Sequence, residues 1–81
     1  MEREKIVAEV IKCAKEHFWG DTENITESTS FLADLGSDSL DFVEIVMELE
    51  DKFSVEIMDR DLNGVITIGN MADVIAAKLK P

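Results

Sequence analysis

A chain of 81 residues has room for one small domain with a modest core. Its apolar (46%) and charged (32%) residues are interleaved, as in a globular fold and unlike a disordered chain. Eighteen acidic against eight basic side chains give a net charge of −10, which disfavours nucleic-acid phosphates and anionic lipid surfaces and favours a partner with a basic patch.

No apolar run reaches membrane-spanning length, and Met1-Glu-Arg-Glu-Lys5 lacks the basic-then-apolar layout of a signal peptide. The sequence therefore predicts a cytoplasmic chain without stable membrane insertion, and residues 1–81 read as a single domain. The lone cysteine, Cys13, can form no internal disulfide, which fits a reducing compartment.

Residues 3–18 carry Ile6, Val7, Val10, Ile11, Ala14 and Phe18 at helical spacing, with Glu and Lys on the other face, and Gly20 suits the helix end. The following stretch, to Ser37, is long for a loop in so small a domain. Ile25, Phe31, Leu32 and Leu35 are expected to anchor it, and Thr26-Glu-Ser-Thr-Ser30 offers local side-chain-to-backbone bonds. A second helix is predicted over 39–53, with Ser37 or Asp38 as N-cap. Ser54-Val-Glu-Ile57 is β-like but has no partner strand in the sequence, so it reads as a connector. A short helical turn over about 59–63 stops at Gly64, and Thr67, with Asn70 three residues on, caps a last helix over 69–79 whose apolar stripe is Met71, Val74, Ile75 and Leu79. The expected class is all-α, with three main helices and one short one.

At about 100° per residue, Phe42, Ile45, Val46, Leu49 and Phe53 share one arc of the second helix, wide enough for a core face. Leu40, Val43 and Met47 lie nearly opposite, bordered by Asp41, Glu44, Glu48 and Asp51. Three apolar residues in register beside carboxylates predict a docking surface, the acid orienting a basic partner and the apolar strip supplying desolvation energy. A helix buried on two sides is the alternative.

Ser39 stands at the start of that helix, where a serine is most often a cap. Ser37 and Ser39 flank Asp38, however, and one cap suffices. A phosphate ester on Ser39 would lie by the unpaired N–H groups and positive dipole end of the helix, with Asp38 and Asp41 adding repulsion.

Asp34-Leu-Gly-Ser-Asp-Ser-Leu-Asp41, followed by Val43-Glu-Ile-Val-Met-Glu-Leu-Glu50 and Phe53, resembles the signature of acyl carrier proteins. Ser30-Phe31, Val55-Glu-Ile57 and Thr67 extend the likeness over essentially the whole chain. The resemblance implies a monomeric, non-enzymatic carrier to which a carrier synthase attaches 4′-phosphopantetheine from coenzyme A at Ser39. Acyl groups would ride on the arm as thioesters and be presented to fatty acid or related biosynthetic enzymes. It also implies docking through Asp38, Leu40, Asp41, Val43, Glu44, Met47, Glu48 and Asp51. The acyl chain would withdraw among Phe42, Ile45, Val46, Leu49, Val65, Ile66, Ile75 and the first helix. Met58, where the family commonly has proline, a bulky Phe42, Ile66 in place of threonine and the segment His17-Phe-Trp-Gly20 depart from the family pattern, and leave room for a pathway-dedicated carrier of polyketide, lipid or peptide type. Asp38 and the density of acid favour the acyl type over the peptidyl one.

The rival is a helical interaction module without a prosthetic group, in which Ser39 is a cap or a phosphorylation site. Cys13 and His17, four apart on one helix, lack the orienting group and cleft of a thiol–imidazole catalyst. One histidine and one cysteine also argue against a typical zinc site, and Asp59 and Asp61 lack the rest of a calcium loop, so the expected metal complement is none.

Overall fold

The computed structural model describes residues 2–18 and 24–80. Helix α1 (Arg3–His17) forms where Ile6, Val7, Val10, Cys13 and Ala14 recur at helical spacing, and all five are buried. Ile11 and Phe18 pack half-buried at the margin of this face. Phe18 is already extended, so the helix closes one residue earlier than predicted, and the Phe18 N–H donates to the Ala14 carbonyl at 2.9 Å. The predicted stop at Gly20 lies outside the described residues.

Helix α2 (Ser39–Phe53) buries Ile45, Val46, Leu49 and Phe53. It ends at Ser54, whose left-handed backbone (φ 54°) turns the chain while the Val55 N–H donates back to the Glu50 carbonyl at 3.1 Å. The connector that follows is tied down by the same residue, because the Glu50 carboxylate accepts the Ile57 N–H at 2.8 Å and Ile57 enters the core. A short 3-10 turn (Asp59–Leu62) then meets helix α3 (Ile68–Leu79), and Asp61 pairs with Lys78 across them at 2.7 Å.

Helix α3 is capped as its sequence predicts. Thr67 Oγ1 accepts the Asn70 N–H at 3.1 Å, and Asn70 Oδ1 accepts the N–H groups of Thr67 and Ile66, each at 3.0 Å. The helix begins one residue before the predicted start, and Ile68 and Ala72 join Met71 and Ile75 in the buried set, while Val74 and Leu79 are half-buried. Helix α1 packs mainly on α3 and also on α2. Among the described residues no strand forms, and the one isolated bridge, Ser30 to Thr67, stitches the long loop to the start of α3.

That loop is packed down by Ile25 and Phe31, which are buried, and by half-buried Leu35. Leu32 does not serve as the anchor that the sequence suggested. Residues 31–35 form tight turns, so turning Phe31 inward leaves the next side chain facing out, and Leu32 is largely exposed. Ser30 and Asp34 hold the turn, Asp34 Oδ2 accepting the Ser30 N–H at 2.7 Å and Ser30 Oγ accepting the Ala33 N–H at 3.0 Å. Gly36 takes the left-handed conformation (φ 65°) needed to bring the chain round to α2. Arg3 joins α1, the loop and α3, donating to Asp73 at 2.7 Å and to the Gly69 carbonyl at 3.4 Å, and pairing with Glu27.

Candidate functional site

Of the two candidate caps, Asp38 is the one used. Asp38 Oδ1 accepts the Asp41 N–H at 2.8 Å, and Asp41 Oδ2 accepts the Asp38 N–H at 3.2 Å, a reciprocal box around residues 39 and 40. Ser37, by contrast, is buried, with its N–H donated to the Phe31 carbonyl at 2.9 Å. Ser39 is therefore relieved of capping. It is exposed in the first turn of α2, where the N–H groups of Ser39 and Leu40 have no partner within the helix.

Beside Ser39 opens a cleft of about 510 Å³, lined mostly by apolar side chains of the loop (Phe31, Leu32, Ala33), of α2 (Phe42) and of the segment before α3 (Val65, Ile66). The rings of Phe31 and Phe42 meet edge to face, centroids 5.4 Å apart. Three of the seven residues named for an acyl pocket, Phe42, Val65 and Ile66, thus line the cleft. The other four, Ile45, Val46, Leu49 and Ile75, are packed in the core. Leu32, expected from the sequence to anchor the loop, is part of the cleft wall.

The outward face of α2 carries Leu40 (65% exposed), Val43 (52%) and Met47 (59%), so the helix is not buried on two sides. The acid does not surround this strip evenly. Three of the four flanking carboxylates lie along the seam with α1: Asp41 Oδ1 and Glu44 Oε2 stand 3.2 and 3.6 Å from His17 Nε2, and Glu48 accepts from the Cys13 thiol at 3.1 Å. Asp51, like Asp38, is exposed. Lys52, one of only two basic residues within the acidic stretch 34–61, is turned to Glu9 of α1 at 2.7 Å, so it does little to offset the acid near Ser39.

Cys13 and His17 accordingly serve separate contacts and not each other. Burial and the neighbouring Glu48 push the Cys13 thiol up to about 12, so it stays protonated. The Asp41 carboxyl is held below the usual range by the Asp38 N–H and then by His17. Sequence reasoning missed these cross-helix contacts, although a signal was available. Glu9, Cys13 and His17 step by four along α1, as Lys52, Glu48 and Glu44 step back by four along α2, which is the register of an antiparallel pair.

The small all-α fold presents an exposed serine in the first turn of an acidic helix, and comparison with known proteins supplies the class. The family described as "Phosphopantetheine attachment site" matches residues 4–75. An acyl carrier protein of an Exiguobacterium species is 40% identical over 79 residues, covering 98% of this chain and all of the relative. Those of Caulobacter vibrioides and Thermotoga maritima are 42% and 38% identical, covering 90% and 95% of this chain and 94% and 95% of the relatives. The solved acyl carrier protein of Enterococcus faecalis superposes with a TM-score of 0.76 at 35% identity, over 96% of this chain and 99% of that one. The chain belongs to the acyl carrier protein family, whose members carry substrates and are not enzymes.

Proposed function

We propose that Ser39 is the residue to which the phosphopantetheine arm is joined, and that the chain works as a single carrier domain in acyl transfer. The observation that carries this is the division of labour at the start of α2. Asp38 and Asp41 cap the helix, Ser39 is left exposed, and the first-turn N–H groups beside it favour a phosphodiester. The residues present fit such a group, because the anion meets a helix N-terminus and the rest of the arm meets an apolar cleft. When bound, the arm supplies a thiol that holds an acyl group as a reactive thioester.

The protein's own residues do the remaining work. The exposed strip of Leu40, Val43 and Met47 docks partner enzymes, and Asp38, Asp41, Glu44, Glu48 and Asp51 orient them through their basic patches. A carrier synthase and acyl-processing enzymes of fatty acid or related synthesis are the partners this chemistry fits. The cleft formed by Phe42, Val65, Ile66 and Leu32 receives the part of the acyl chain nearest the arm. Deeper withdrawal among Ile45, Val46, Leu49 and Ile75 requires the Phe31–Phe42 ring pair to part. The cytoplasm, where the buried Cys13 thiol stays reduced, is the compartment we assign.

The carrier role is tested by isolating the protein from cells and treating it with neutral hydroxylamine. Release of an acyl hydroxamate with matching loss of mass is expected. A protein that carries no hydroxylamine-labile group under any growth condition would point to the interaction module without a prosthetic group.

A further inference from the structure

The sequence leads one to expect no metal site, yet the fold gathers three donors that lie far apart in the chain. His17 at the end of α1, and Asp41 and Glu44 in the first turns of α2, bring one ligand atom each to within 4.8 Å of the others. We propose that these three side chains bind a divalent transition ion of the zinc type.

The geometry supports the ion at three points. Metal–nitrogen and metal–oxygen bonds of about 2.1 Å in a tetrahedral site put neighbouring donors roughly 3.4 Å apart. His17 Nε2 stands 3.2 Å from Asp41 Oδ1 and 3.6 Å from Glu44 Oε2, near that spacing, and the two carboxylates lie within 4.8 Å of each other, so side-chain adjustment alone can close the three donors on an ion. The donors are also pre-set. His17 is held in the helix seam with its side chain only 13% exposed, and its ring packs edge to face on Phe18 at 5.0 Å. Asp41 uses Oδ2 to accept the Asp38 N–H and thereby turns Oδ1 towards His17, as an outer hydrogen bond orients a metal-binding carboxylate.

One imidazole and two carboxylates select zinc over magnesium, which prefers oxygen donors and keeps its water. The three side chains leave at least one coordination position for water. The surrounding charge is strongly negative, which raises the local concentration of any divalent cation, so the imidazole supplies the selectivity. The ion would tie the end of α1 to the first turn of α2 and neutralise two carboxylates close to Ser39.

The test is zinc titration of tag-free protein, by calorimetry against a competing chelator and by following the His17 ring resonances. One zinc ion is expected to bind per chain, with the His17 resonances moving in step. Affinity should fall by about tenfold or more in His17→Gln and in Glu44→Gln, and remain in Cys13→Ala. Magnesium at the same concentration should leave the ring resonances in place. Glu44 is exposed, so Glu44→Gln keeps the test informative even if His17→Gln disturbs the seam. Equal affinity in wild type, His17→Gln and Glu44→Gln, or binding lost only in Cys13→Ala, would overturn the proposal. So would ring resonances that do not move at stoichiometric zinc.

Discussion

Asp38 and Asp41 exchange hydrogen bonds at 2.8 and 3.2 Å, each carboxylate accepting the other's N–H, and Ser39 lies between them. The box explains why a serine at a helix start is free of the capping duty that usually occupies one. Asp38→Ala removes the cap and is expected to cost about 1 kcal/mol, lowering the melting midpoint by roughly 4–8 °C in a domain of this size. Asp38→Ser restores the cap without the charge and should recover most of that loss. Equal midpoints for Asp38→Ala and wild type would show that the box does not hold the helix start.

Acid should destabilise the fold through three carboxylates. Asp41 is held low by the Asp38 N–H and then His17, Asp61 by Lys78 and then the Met58 N–H, and Glu9 by Lys52. A depressed folded value means the stabilisation is complete above the unfolded carboxylate range, roughly pH 4, and is lost as pH falls through the folded values. Urea midpoints are expected to fall between pH 5 and pH 3, and less steeply in Asp61→Asn. Because protonation also relieves the repulsion of a chain of charge −10, a midpoint that rises steadily on acidification would mean repulsion outweighs the specific pairs.

Phe42 lines the cleft and meets Phe31, another lining residue, edge to face. Phe42→Ala should lower the stability of the unloaded protein by about 1–3 kcal/mol, less than the 3–5 of a fully buried ring. It should also enlarge the gain in melting temperature that a long acyl chain confers, since the path towards Ile45, Leu49 and Ile75 is then open. An unchanged acyl gain would place the chain elsewhere.

Met47 and Glu44 test the docking face separately from the core. Met47→Ala is expected to change stability by less than about 0.5 kcal/mol, and to reduce the catalytic efficiency of a carrier synthase by roughly fivefold or more. Glu44→Lys should act in the same direction and more strongly at low salt. Loss of helix content in Met47→Ala would assign that side chain to the core.

The helices were legible because their signals are local. Thr67 and Asn70 announce α3, the arc of Ile45, Val46, Leu49 and Phe53 gives the core face of α2, and the opposite strip is exposed as the wheel predicts. Boundaries moved by a single residue, as fraying ends do. What the sequence could not show depends on tertiary placement. Leu32 looks like an anchor until the turn that buries Phe31 forces it outward, into the cleft wall beside Ile66. The approach of His17 to Asp41 and Glu44 depends on the antiparallel register of α1 and α2, which periodicity within one helix does not contain. Recognition of Ser39 came from the motif around it, since spacing alone would have left it a cap.

The role of Ser39 is tested most directly by intact-mass measurement of wild type and Ser39→Ala after incubation with a carrier synthase and coenzyme A, with circular dichroism run on both. Wild type should gain one phosphopantetheine, and Ser39→Ala should gain nothing while keeping its helix content. A wild-type protein that gains nothing, or a folded Ser39→Ala that is still modified, would contradict the account.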